Sequence, residues 1–80
     1  MTGFEWALEM LRCGRRIRRP GWNGRGMYLL LVEYWNIVGD EQLSELPKAP
    51  FVAMKTADDK VVPWLCSQTD LLADDWETVD

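Results

Sequence analysis

One run of nine residues constrains the fold more than any other: "MYLLLVEYW", positions 27–35. In a strand, Met27, Leu29 and Leu31 share one face, while Tyr28, Leu30, Val32 and Tyr34 share the other. A strand that is apolar on both faces expects cover on both. The chain has 80 residues, and a domain of roughly this size buries only about 60% of its unfolded surface. One short N-terminal helix can cover a single face of a sheet. The second face is then left to the rest of the chain or to another subunit, and the sequence expects a homo-oligomer.

The elements around this strand are legible from their punctuation. Thr2-Gly3-Phe4-Glu5 reads as a capping box, with the Thr hydroxyl capping and Glu5 reaching back. A helix follows, with Phe4, Ala7, Leu8 and Leu11 on one side, and Gly14 stops it. "RRIRR", 15–19, predicts a short strand. Pro20-Gly21 predicts a turn, which Gly24 and Gly26 extend into a loop. Residues 36–50, with Gly39, Pro47 and Pro50, predict an irregular excursion. "FVAMKTADDKVVPW", 51–64, predicts a hairpin turning at Asp58-Asp59. Ser67-Gln68-Thr69-Asp70 is a second capping box that opens a short helix through Leu71, Leu72 and Ala73. "DWETV" closes as a strand, with Trp76 facing the core. The expected fold is a single α+β domain over 1–80: a small antiparallel sheet, an N-terminal helix and a short second helix.

Charge is placed unevenly. The formal net charge is −4, yet all six arginines lie between positions 12 and 25, a window without an acid. The remainder holds three lysines against thirteen acids and sums to −10. That remainder repels a long polyanion such as duplex nucleic acid, but not a small anion held in a local pocket. A solvated basic face that balances acids across the fold is the competing reading, and Arg15, Arg16 and Arg18 suit it.

Several chemistries are poorly supplied. The chain has no His, so the usual general base near neutral pH is missing. Cys13 and Cys66 are far apart, which is neither a metal-ligand spacing nor a disulfide framework, and a reducing cytoplasm fits them. Glu5 and Glu9 interrupt the first apolar stretch, so no secretory signal is expected. No apolar run approaches the roughly 20 residues of a membrane helix. The expectation is a protein that is not an enzyme and takes no metal or cofactor.

Binding chemistry is better supplied. "RRPGWNGRG", 18–26, combines arginines, a Trp, an Asn and three glycines. Arginine forks match phosphate oxygens, an indole stacks on a purine, an amide pairs with a base edge, and glycine lets backbone approach a ligand. "WLCSQTD", 64–70, adds a second aromatic and a helix start. Trp22 is expected at the mouth of a site with little burial against its own core, or else as a plug in the turn. Trp64 has a core role as its alternative, and Ser67 and Asp70 have a plain capping role as theirs. The residues themselves reach a small anionic aromatic ligand.

"RRPGWNGRGMYL" followed by "MKTADDKVVPWLCSQTDLLADDW" resembles a family of small phage and prophage proteins, the second family of Thoeris anti-defence proteins. The resemblance runs from the first helix to Trp76, apart from 33–50. It implies a non-enzymatic sponge in the cytoplasm of the infected bacterium. Such a sponge holds a cyclic ADP-ribose-type immune signal, the glycocyclic isomers, intact and away from the host effector. Some members of the family bind cyclic oligonucleotide signals of a second, CBASS-type system. The family forms homotetramers with ligand sites between subunits. Carried over by position, the first motif implies Trp22 and Asn23 as contacts with Arg25 and Met27 nearby, and the second implies Trp64, Ser67, Thr69 and Asp70. Two positions depart from the family pattern. Asp59 stands where the hairpin turn usually has Gly, which argues against a two-residue type I′ turn. Cys66 replaces a small residue beside Ser67. The rival readings are a sponge for cyclic di- or trinucleotides, a phage protein-interaction module, and a nucleotide hydrolase, the last disfavoured by the missing His.

Overall fold

The computed structural model describes residues 2–22 and 24–79. Helix α1 spans Phe4–Arg12 and buries Ala7 and Leu11. It starts differently from the expected capping box. Gly3 is its N-cap, without a side-chain cap, and Glu5 is exposed. The Thr2 hydroxyl donates instead to the Trp76 carbonyl. The backbone explains the change. Thr2 bridges in parallel to Asp75, its N–H donating to the Asp74 carbonyl at 3.0 Å and its carbonyl accepting from the Trp76 N–H at 3.1 Å. That pairing turns the hydroxyl toward the C-terminal segment. Gly14 ends the helix as expected, at φ +82°, where an L side chain is strained.

Strands β1 (Arg16–Arg18), β2 (Tyr28–Val32), β3 (Phe51–Lys55), β4 (Val61–Pro63) and β5 (Glu77–Val79) form one antiparallel sheet in the order β4-β3-β2-β1-β5. The register aligns Thr78, Ile17, Leu29, Met54 and Val62 across all five strands. Ile17 and Leu29 in this row are fully buried, and with Ala7, Leu11 and Trp76 they form the core under α1. Trp76 is its hub. Phe4, Trp22 and Trp64 all pack on its ring, at centroid distances of 5.4, 5.4 and 6.0 Å.

On the opposite face Leu30 pairs with Ala53, Ala53 with Pro63, and Val32 with Phe51. Ala53 is buried, whereas Leu30, Val32 and Phe51 are only half-buried. The sheet is therefore apolar on both sides, with α1 on one of them. The strand is also shorter than its apolar run. Its partner begins at Phe51, just after Pro50, so no ladder remains beyond Val32. Tyr34 is left 93% exposed. Trp35 turns back to pack edge-on against Phe51 at 5.8 Å and donates from Nε1 to the Ala49 carbonyl at 2.9 Å.

The excursion contains a one-turn helix that was not expected, α2 (Glu41–Glu45), capped by Asp40, whose side chain accepts from the Leu43 N–H at 3.0 Å. In the β3–β4 connection the paired residues Thr56 and Lys60 enclose a three-residue loop, 57–59, rather than a two-residue one. Asp59 adopts φ +62°, the Asp59 N–H donates to the Thr56 carbonyl at 3.1 Å, and the Thr56 N–H to the Lys60 carbonyl at 2.7 Å. A tight turn followed by one left-handed residue is the usual three-residue solution. Helix α3 is a single turn, Gln68–Leu71, capped by Ser67. Cys13 and Cys66 are free and exposed. Among the described residues no helix is long and apolar enough to cross a membrane.

Candidate ligand-binding loop

The chain leaves β1, turns at Pro20-Gly21 with the Trp22 N–H donating to the Arg19 carbonyl at 3.2 Å, and returns as β2. A cavity of about 540 Å³ opens on this loop, with Arg18, Arg19, Trp22, Arg25 and Met27 in its walls. Small-molecule sites commonly fall between about 300 and 1,000 Å³. A larger apolar cavity, about 690 Å³, lies between α1 and α3 and holds none of the expected contacts.

The arginines of the loop have different fates. Arg18 pairs with Glu77 at 2.9 Å. Arg19 bridges two carboxylates, Asp75 at 2.7 Å and Asp70 at 2.8 Å. These hydrogen bonds, first to Asp75 and then to Asp70, raise its pKa further. Arg16 lies over the Tyr28 ring at 4.8 Å. Arg25 is exposed, lines the cavity and has no acid partner among the described residues. Among the described residues it is the cavity guanidinium without a carboxylate partner.

Trp22 is more integrated than a loop residue at a site mouth was expected to be. It is half-buried, packs at 90° on Trp76, and donates from Nε1 to Asp70 at 3.2 Å. It also lines the cavity, so one indole serves both the core and the loop. Asp70 joins the two sequence motifs. Burial works to raise its pKa, but hydrogen bonds from Arg19, Trp22 and Ser67, with the Arg19 charge, outweigh burial and hold the carboxyl below its ordinary range. The second capping box is thus half-formed. Ser67 accepts from the Asp70 N–H at 3.1 Å, while the Asp70 carboxylate also accepts from Arg19 and Trp22.

Of the expected site residues, Trp22, Arg25 and Met27 line the cavity together, and Asp70 reaches it through Trp22 and Arg19. Trp64 is half-buried, packed on Trp76 and Phe4, and does not line this cavity. Ser67 and Thr69 are exposed and lie outside the cavity of this one chain. Asn23 lies outside the described residues. Sequence reasoning missed Arg19 and Asp75, which brace the loop from 56 residues apart. No local spacing signals such a pair. Among the described residues no cluster of three or more His, Cys, Asp or Glu is placed to hold a metal.

Residues 2–79 match the profile of the Tad2-like family, the Thoeris anti-defense 2-like domain. The chain is also 39% identical over 82 residues to the Thoeris anti-defense 2 protein of Bacillus phage SP01, covering 95% of this chain and 92% of that protein. This chain belongs to the Thoeris anti-defense 2 family. The match includes both motifs and also the 33–50 excursion, which the motifs alone left unassigned. Membership places the chain among anti-defence proteins directed at Thoeris.

Proposed function

We propose that this chain is a non-catalytic sponge that captures a cyclic ADP-ribose-type signal, a glycocyclic ADP-ribose, and holds it intact in the cytoplasm of an infected bacterium. The observation that carries the reading is the shared wall of Trp22 and the uncommitted Arg25 on a glycine loop. An indole face suits the adenine, and a free guanidinium suits the pyrophosphate. Neither group is a general base or a nucleophile, which favours holding over turnover. Asn23 supplies an amide for a base edge, and Met27 an apolar floor.

Ser67, Thr69 and Trp64 meet the ligand across a subunit boundary in this reading, because they do not line the cavity of their own chain. Two features support such an assembly, a homotetramer. Helix α1 packs on one face of the sheet, and the opposite face carries Leu30, Val32 and Phe51, each only half-buried. Large apolar side chains also stand in solvent, among them Tyr34 at 93%, Val38 at 99% and Leu65 at 92% exposure. Arg25 gives the direct test. Arg25→Gln keeps the loop's length and polarity and removes the charge. A charged hydrogen bond is worth about 1.5–3 kcal/mol, so affinity for glycocyclic ADP-ribose falls about 10- to 150-fold by calorimetric titration, with Tm unchanged. Unchanged affinity contradicts the assignment.

A further inference from the structure

The β3–β4 turn touches the ligand loop, although about thirty residues separate them in sequence. A Cβ on Gly24 would lie 2.9 Å from the Ala57 Cβ and 3.0 Å from the Met27 Sδ, so the loop is pressed against the turn. Gly24 and Gly26 have φ of +100° and +74°, which leaves this stretch little intrinsic preference to hold its own shape. Lys55, at the end of β3, supplies the missing constraint. Its Nζ donates to the Gly26 carbonyl at 3.1 Å and pairs with Asp59 at 2.6 Å. Nζ also lies 5.9 Å from the centre of the Tyr28 ring. The Lys55 side chain is 22% exposed, whereas Asp59 is 80% exposed.

We infer that the β3–β4 turn props the ligand loop: Lys55 is a positioning residue that clamps the Gly26 carbonyl between Arg25 and Met27, and Asp59 aims Lys55. The inference rests on the reading of that loop as the ligand site. It gives a physical sense to Asp59, which adopts a left-handed φ of +62° that glycine takes without strain. Glycine there relaxes the backbone and loses the partner of Lys55. Stability and site order then move in opposite directions, which a merely structural residue does not produce.

Two readouts separate the clamp from the ligand reading. The first needs no ligand: the rate of tryptic cleavage after Arg25 in the folded protein, followed by mass. The second is retention of glycocyclic ADP-ribose after free ligand is removed. Lys55→Met is expected to speed the Arg25 cut and to weaken retention, each by about tenfold, the scale of a charged hydrogen bond. Lys55→Arg, which keeps a charged donor, restores both. Asp59→Gly is expected to raise Tm while speeding the cut about two- to threefold, the modest scale of an exposed ion pair. Lys60→Met is the control, because Lys60 pairs with Asp58 on the solvent side of the same turn, with both side chains exposed. It leaves both readouts alone. A Lys55→Met protein cut no faster than the parent overturns the clamp whatever happens to ligand. Faster cutting with full retention overturns its role in positioning the site. Failure of the unaltered protein to retain the ligand overturns the ligand reading and that role together, while the cleavage rates still decide the clamp.

Discussion

Asp70 joins the ligand loop, helix α3 and the core. It accepts from Arg19 and from the Trp22 indole, its N–H is capped by Ser67, and its carbonyl accepts from the Trp76 indole at 3.1 Å. Its depressed pKa fixes a pH dependence. The stabilisation is fully present above the unfolded value of about 3.9 and is lost as pH falls through the lower folded value. Asp70→Asn is therefore expected to lower Tm at pH 7 and to flatten the loss of Tm below about pH 4. An unaltered acid limb in thermal melts contradicts this role. Trp22 makes a second case, because stability and binding are entangled in it. Truncating a fully buried Trp costs about 3–5 kcal/mol, and a half-buried one is expected to lose about half of that. Trp22→Ala then melts earlier than the parent, Trp76→Ala earlier still, and Trp22→Phe keeps most of the packing while losing the Asp70 hydrogen bond. A Trp22→Ala protein with the parent's Tm contradicts the T-shaped contact with Trp76.

The elements behave as their sequences dictate wherever one local rule decides. The alternation in 28–32, the Gly14 stop and the Ser67 cap are legible directly, because each is set by neighbours within a few residues. Thr2 was misread because a hydroxyl two residues before a helix has two possible partners, and a backbone bridge to Asp75, 73 residues away, chose the other one. For Asp70 the sequence offers a capping role or a ligand contact, and the partners of its carboxylate, Arg19 and Trp22, come from a distant segment. The two apolar faces of the sheet belong to this scale too. Leu30, Val32 and Phe51 lie half-buried on the face opposite the α1 core. A carboxylate planted there meets water in a monomer and an apolar partner in an assembly. Val32→Asp is accordingly expected to reduce the mass measured by light scattering from that of an oligomer toward the 9.3 kDa of one chain. A parent already at that mass, or a variant still assembled, contradicts the use of this face.

At the scale of the whole molecule, the chain is more extended than its length requires. Its radius of gyration is 14.0 Å, and its longest axis is 44 Å against 26 and 25 Å for the others. A compact domain of this length has a radius near 12 Å. The thin core, the half-covered sheet and the acidic remainder around one basic loop suit a small protein that completes itself by association and receives a small anion. Capture without chemistry shows in the fate of the ligand. The protein is incubated with glycocyclic ADP-ribose, freed of unbound ligand and heat-denatured, and the released molecule is identified by mass and chromatographic retention. Release of the unaltered signal in stoichiometric amount is the expected result. Release of a cleaved or otherwise altered product, or of nothing, contradicts it.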